Sequence, residues 1–378
     1  MTRALCVLAL ISVFAGTLLI GQSATTYFVY VASEAADKIS VVRFGSAGAS
    51  VDPEISTGLM PTDIDGPHGL AIAPDKKHYY VSMAHGQPFG TVWKYATGTD
   101  RLVGRVTLGM FPATMDLSPD GDFLYVVNFN LHGDMVPSSV SVVTTDEMIE
   151  IARINTCAMP HGSRFSRDGR RHYSVCMMDE QLVEIDTATL KVSRHFILTK
   201  GKEAGMMGTP MRMPATHSAM TGGHGTEPPK PGDVSCSPTW AQPSKTTASV
   251  FVACNGSSEI VEIDAATWKL VRRIPAGSGV YNLGMTADGT RLIATNRREQ
   301  SVSVLDVKSG KELARLKTKR SVVHGVAVSS DDRYAFISVE GIASDPGTVE
   351  VIDLRTLKIV ASVDVAPQAG GIDFWKVQ

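Results

Sequence analysis

The chain of 378 residues is 43% hydrophobic and 20% charged, with 36 Lys and Arg against 38 Asp and Glu and a formal net charge of −2. So apolar and so nearly neutral a chain builds a sizeable core, which excludes a disordered or collagen-like polymer. No basic stripe runs along it, so nucleic acid has no electrostatic footprint to bind.

Met1-Thr2-Arg3 carries one positive charge, Ala4 to Ile20 is an almost unbroken apolar run, and Gly21-Gln22-Ser23-Ala24 supplies small residues. This reads as an export signal over residues 1–24, which leaves 25–378 as the mature, periplasmic or secreted protein. The apolar run sits at the short limit for a membrane span, so the alternative is an uncleaved N-terminal anchor; no other membrane association is expected. Cys6 lies inside the run and leaves with it. Cys157, Cys176, Cys236 and Cys254 remain, an even set that reads as disulfides in an oxidising compartment.

One phrase then returns along the chain: a small-residue strand, an Asp-containing turn, an aromatic and β-branched strand, and an apolar strand ending in Asp. It runs as HGLAIAPDKKHYYVSM (68–83), ATMDLSPDGDFLYVVN (113–128), HGSRFSRDGRRHYSVC (161–176), NLGMTADGTRLIATN (282–296) and HGVAVSSDDRYAFISV (324–339). The third strand recurs as VEID at 183–186 and 261–264, SVLD at 303–306 and EVID at 350–353. Turn aspartates at Asp75, Asp120, Asp168, Asp288 and Asp331 set the phase, with period-2 alternation between them. Four short strands per unit of about 45 residues is the period of a propeller blade. Complete blades fall near 67–108, 112–154, 159–197, 233–274, 280–317 and 323–364. Residues 27–57 offer three strands and 366–375 one. The fold expected is therefore all-β: a seven-bladed β-propeller closed by pairing the C-terminal strand with the N-terminal blade, a single domain over 25–378.

The strand–turn–strand phrase, with LYVVN at 124–128 and LIATN at 292–296, resembles the YVTN-type seven-bladed β-propeller repeats of exported bacterial and archaeal proteins. The resemblance spans nearly the whole mature chain. It implies the fold firmly and the function weakly, because propellers host unrelated activities. Similar architectures include the copper-carrying domain of nitrous oxide reductase, the heavy subunit of methylamine dehydrogenase, and sugar lactonases.

Strands a to d of a blade alternate in direction, so b–c loops and d–a connections share one face, here the top. Strand a lines the central channel. His68, His161 and His324 open strand a in three blades, each followed by Gly; His85 and His132 follow strand b, and His217 and His224 lie in an insertion at 198–232 between two blades. That insertion also holds Met206, Met207, Met211, Met213 and Met220, has no hydrophobic period, and reads as a top-face loop. Met177 and Met178, just after a b strand, point to the same rim. Thioether and imidazole are copper's ligand types, so His68, His85, His132, His161, His324, His217, His224, Met211, Met213 and Met220 form the candidate metal set. The competing reading of the strand-a histidines is structural, with each imidazole bonded to a neighbouring blade's backbone; that of the insertion is a lid packing its methionines. The channel-mouth residues expected from the repeat are His68, Ala113, His161, Thr239, Tyr281 or Asn282, His324 and Gln368, a set without carboxylates.

Cys176 and Cys254 end strand b while Cys157 and Cys236 precede strand a, so two disulfides within blades are expected, Cys157–Cys176 and Cys236–Cys254. The alternative for Cys157 is thiolate ligation beside His161. The chain has no GxSxG, P-loop, HExxH, dinucleotide GxGxxG or haem-attaching CxxCH. Three function classes survive. One is copper handling or redox chemistry with an external electron acceptor; the second is a non-catalytic subunit docking a periplasmic partner protein; the third, disfavoured by the absence of mouth carboxylates, is a lactonase-like hydrolase.

Overall fold

The computed structural model describes residues 25–52, 54–58, 65–85, 89–210 and 235–378. Residues 1–24, expected to be an export signal, and residues 211–234 of the insertion, with Met211, Met213, His217, Met220 and His224, lie outside the described residues.

Seven antiparallel sheets are arranged as a seven-bladed propeller. Blade 1 is composite. Its strands from the rim inward are Gly48–Val51, Lys38–Gly45, Tyr27–Ser33 and Ala369–Val377, so the last strand of the chain completes the first blade. Blades 2 to 7 begin with inner strands Pro67–Ile72, Pro112–Leu117, Pro160–Phe165, Pro238–Pro243, Val280–Met285 and Val323–Val328. Strands that are packed between sheets read as continuous apolar runs, as in Phe123–Asn128. Outermost strands such as Glu312–Lys317 alternate half-buried and exposed, as one-sided burial demands. The repeat aspartates close turns. Asp120 accepts from Ser118 Oγ and the Asp122 amide, and Asp186, Asp264 and Asp353 each accept two amides two and three residues on.

A backbone feature fixes the phase of every inner strand. The residue just before it has positive φ in all seven blades: Gly66, Phe111, Met159, Ser237, Gly279, Val322 and Gln368. The side chain two residues later therefore occupies one equivalent position around the channel: His68, Ala113, His161, Thr239, Tyr281, His324 and Gly370. This resolves Tyr281 over Asn282 and corrects Gln368, which is the turning residue, to Gly370.

The glycine after three of these histidines has a packing cause. A Cβ on Gly69 would lie 1.9 Å from the Ala113 carbonyl oxygen, on Gly162 2.5 Å from that of Thr239, and on Gly325 2.7 Å from that of Gly370. Neighbouring inner strands approach too closely for any side chain. A hydroxyl relay ties them together in blades 2, 6 and 7. Ser82 Oγ accepts from the Gly69 amide and donates to Ala113 O; Thr295 links Asn282 to His324 O, and Ser338 links Gly325 to Gly370 O.

Both cysteine pairs join as expected, but one blade assignment is corrected. Cys157 belongs to the ten-residue outer strand Ile149–Ala158 of blade 3, so its bond to Cys176 staples blade 3 to blade 4. The insertion is also corrected where it is described. Ala204–Met207, expected as loop, pairs antiparallel with Lys191–Ile197 as a fifth strand on the outer edge of blade 4.

Gly69→Ala is expected to destabilise the ring by about 3 kcal/mol or more, because the atom it meets is backbone and cannot swing aside. Thermal or urea unfolding monitored by near-ultraviolet circular dichroism measures this; an unchanged midpoint would show that the inner strands can slide apart.

Candidate functional site at the channel mouth

Two sets of positions meet at the top of the channel. The first is the ring just described. The second is the residue or two after each b strand, where the chain turns over the mouth: Glu34 after Tyr27–Ser33, His85 after His78–Met83, Arg297 after Arg291–Asn296, and Glu340 after Tyr334–Val339. A short 3-10 turn at Glu34–Ala36, whose first amide bonds to the Gln368 carbonyl, holds Glu34 inward at 6% exposure.

Glu34 joins two imidazoles. Its Oε2 accepts from His68 Nδ1 at 2.5 Å and its Oε1 accepts from His85 Nε2 at 2.6 Å. The Phe111 ring packs edge-on against both histidines and His132, and His132 lies 5.7 Å from His85 between ring centroids. On the other side of blade 1, His324 Nε2 sits 3.6 Å from Glu340 Oε1, and Arg297 Nη2 donates to both Glu340 oxygens at 3.1 Å. The His68 and His324 rings are 5.8 Å apart and nearly perpendicular. The Arg297 guanidinium lies over the Tyr281 ring, which in turn neighbours His324.

His161 is differently employed. Its Nδ1 donates to the Thr239 carbonyl at 2.7 Å, so its Nε2 is the acceptor of the Tyr281 hydroxyl at 3.2 Å. The structural reading made for strand-a histidines thus holds at His161. At His68 the partner is a carboxylate, and Nε2 makes no hydrogen bond among the described residues.

Electrostatics follow from these contacts. Burial alone would raise the Glu34 carboxyl, but the His68 charge and two imidazole donors outweigh it and hold Glu34 below the usual carboxylate range. Burial would likewise lower His68; the adjacent Glu34 carboxylate outweighs it and raises the imidazole. Glu340 goes the other way, since burial raises it against the pull of Arg297. Burial pushes the Tyr281 hydroxyl up to about 12, keeping it a donor.

The mouth is therefore not the carboxylate-free set expected from the repeat. Glu34 and Glu340 were missed because only strand-a positions were counted, while post-b residues turn into the same space. The signal available was position alone: Glu34 follows the b strand of blade 1, which lies between the blades of His68 and His324, and Glu340 follows the b strand of the blade that carries His324. The structure brings His68, His85, His132 and His324 into this cluster with Glu34, and it leaves the insertion's first described methionines, Met206 and Met207, exposed on the outer edge. Among the described residues, no group of three or more His, Cys, Asp or Glu side chains is placed to hold a metal ion. His161 has both ring nitrogens engaged, and Glu34 occupies one nitrogen each of His68 and His85.

No protein-family model matches the chain, and no curated protein matches it in sequence. Solved structures match in fold. The periplasmic gluconolactonase of Pseudomonas aeruginosa superposes with a TM-score of 0.67 at 18% identity, over 92% of this chain and 99% of that one. Hydrazine synthase of Kuenenia stuttgartiensis gives 0.60 at 20% identity, over 84% and 91%. A putative 6-phosphogluconolactonase of Bacteroides uniformis gives 0.64 at 12%, over 94% and 99%. At such identities the likeness is one of fold.

The Glu34–His68 pair makes a pH prediction with a defined sign. His68 is raised above 6.5, so its contribution to stability is complete below 6.5 and disappears as pH rises through its folded value. Glu34 is lowered below 4.5, so its contribution is complete above 4.5 and disappears as pH falls through its folded value. The pair stabilises most between about 4.5 and 6.5. Imidazole NMR titration is expected to place His68 above 6.5 in the wild type and lower in Glu34→Gln; identical titrations in both proteins would sink the ion pair.

Proposed function

We propose that the chain is an exported propeller of the YVTN type whose channel mouth binds a small polar carbonyl compound, and that it hydrolyses a sugar lactone there. The observation that carries this reading is His68, fixed through Nδ1 by a buried carboxylate and with Nε2 making no hydrogen bond among the described residues. A base oriented by a third group is the arrangement that general acid–base chemistry requires. The gluconolactonase and the putative 6-phosphogluconolactonase share the fold, which supports the substrate class by analogy. The two disulfides support an oxidising compartment.

The step is short. His68 Nε2 takes a proton from water as the water oxygen bonds to the lactone carbonyl carbon. The ring C–O bond then breaks, and the imidazolium returns the proton to the departing ring oxygen, giving the open hydroxy acid. Glu34 stays ionised and steadies the imidazolium as it forms, a role suited to a carboxylate held low by its two imidazole partners. Arg297, whose buried Nη1 makes no hydrogen bond among the described residues, adds positive charge where the carbonyl oxygen becomes negative.

Copper handling is the second reading. It rests on the paired imidazoles His68–His324 and His85–His132, and five of its expected donors lie outside the described residues. A docking role rests on exposed apolar side chains in b–c loops on the same face, Phe89, Met135, Val136 and Ile342.

Turnover of gluconolactone should rise with pH through the raised His68 value. His68→Asn should lower kcat/KM by about 10²–10⁴-fold, and Glu34→Gln should shift the pH limb downward. Parallel metal analysis of the purified protein discriminates: stoichiometric copper lost in a His68→Asn/His324→Asn variant, with no lactone turnover in the wild type, would replace the hydrolase by the copper reading.

A further inference from the structure

On the face opposite the mouth, a–b and c–d turns meet between blades, and three interfaces are bridged there in the same way. A cation from the c or d strand of one blade reaches the backbone just after the c strand of the next. Lys94 of blade 2 donates to Thr145 O, Arg194 of blade 4 to Ala265 O, and Arg272 of blade 5 to both Val307 O and Lys308 O. Each arginine pairs with a glutamate directly opposite it in the sheet, Glu184 or Glu262, and Arg194 also lies over the Trp268 ring at 4.1 Å.

Blade 3 breaks this pattern. Strand register puts Val142 and Ala152 where blades 4 and 5 carry the Glu–Arg pair. The receiving carbonyls of blade 4, Thr187 and Ala188, correspond to Val307 and Lys308 and accept no hydrogen bond among the described residues. Blade 6 has an equally apolar pair, Val304 and Ala314, but there the next blade presents the buried Leu354 at the position of Thr187. Between blades 3 and 4 a groove of about 580 Å³ remains, walled by Phe123, Tyr125, Val142, Ile151, Phe165 and Leu190 and bounded by Thr187 and Ala188. The Tyr125 and Phe165 rings meet edge to face at 4.7 Å and form a rigid aromatic wall. Asp120 and Asp168 line the groove as well, each held below the usual carboxylate range by a serine hydroxyl, Ser118 or Ser166. Thr187 Oγ1 donates to Gly169 O, which sets the Asp168 turn beside the two carbonyls. No Lys or Arg side chain among the described residues lines this groove, whereas the corresponding groove between blades 5 and 6, about 520 Å³, has Arg272 and Glu262 in its wall.

We propose that the groove between blades 3 and 4 receives an arginine side chain of a partner polypeptide, whose guanidinium takes the place that Arg194 and Arg272 take in the sibling interfaces. The chemistry matches at each level. Two adjacent carbonyls suit the forked donors of a guanidinium, as Val307 and Lys308 suit Arg272. Two ionised carboxylates complement its charge, and the apolar wall takes its methylene stem and the face of its cation. Ile149 and Ile151, exposed on the outer strand of blade 3, offer apolar surface to the residues that flank the arginine. The groove lies on the face opposite the histidine cluster, so the proposal is independent of what the mouth binds.

Titration of the purified protein with N-acetyl-arginine N-methylamide, followed through the methyl NMR signals of Val142, Ile151, Thr187 and Ala188, tests this. Saturable shifts are expected with a Kd of about 1 mM, the strength usual for a ligand of about sixteen heavy atoms. The citrulline analogue keeps the shape and loses the charge, and should bind at least about tenfold more weakly. Ala152→Arg, alone and combined with Val142→Glu, supplies the guanidinium from within as blades 4 and 5 do, and should abolish the shifts. Equal binding of the citrulline analogue, or no saturable shift with the arginine one, would overturn the proposal, as would unchanged binding in a folded Ala152→Arg protein. Free arginine brings its own carboxylate toward Asp120 and Asp168 and should bind more weakly than the capped residue; equal or tighter binding would overturn a polypeptide occupant. The comparison of arginine with citrulline uses the wild type alone, so it decides even where a variant fails to fold.

Discussion

The propeller depends on how closely its inner strands approach: the carbonyl oxygen of one strand lies where the next would place a Cβ. At Gly69 the separation left for that atom is 1.9 Å, and at Gly162 and Gly325 it is 2.5 and 2.7 Å. Such proximity would strand buried amides and carbonyls unless each found a partner, and the Ser82, Thr295 and Ser338 hydroxyls supply one by bridging blade to blade. The same geometry governs chemistry. Once the glycine is locked against its neighbour, the residue before it has one direction left, across the mouth, and three blades place histidine there.

Electrostatics at the mouth follow from burial. A carboxylate as enclosed as Glu34 is costly to keep ionised unless hydrogen-bonded and paired, and two imidazoles do both. Glu340 is enclosed as well but shares one guanidinium, with His324 further off at 3.6 Å, so burial prevails and it is raised. Two carboxylates in one site are thereby driven in opposite directions, which is how a single pocket comes to hold an ionised group and a protonatable one at the same pH.

Much of the architecture was legible because its determinants are local and repeated. Asp120 or Asp186 closes a turn with amides two or three residues away, so the phrase recurs visibly, and the blade count and ring closure follow. The cysteine pairs were legible from antiparallel geometry, yet the ownership of Cys157 was not: it depends on how far the outer strand of blade 3 continues, and Ile149–Ala158 runs on to include it. Ala204–Met207 carries no strand pattern; the open edge of Lys191–Ile197 recruits its backbone, aided by Gly205 fitting against Trp268. At the site, histidines were visible because they share a position and a following glycine. Glu34, Arg297 and Glu340 share a position but no residue type with their counterparts Phe129, Met177 and Asn255, so repetition could not mark them.

The three His-Gly pairs show what sequence identity at a repeat position does and does not determine. His161 faces blade 5, where the Thr239 carbonyl is within reach of Nδ1 and the Tyr281 hydroxyl within reach of Nε2, so its valences are spent on the scaffold. His68 and His324 flank a blade that presents glycine at the same level. Glu34, turned inward after the b strand of that blade, takes one nitrogen of His68, and the other makes no hydrogen bond among the described residues. Identical dipeptides thus become a structural tie in one blade and a candidate base in another, and the difference lies in neighbours contributed by other repeats. Departures from the repeat, at Gly370, Glu34 and Glu340, are where a symmetric ring acquires one chemically distinct side.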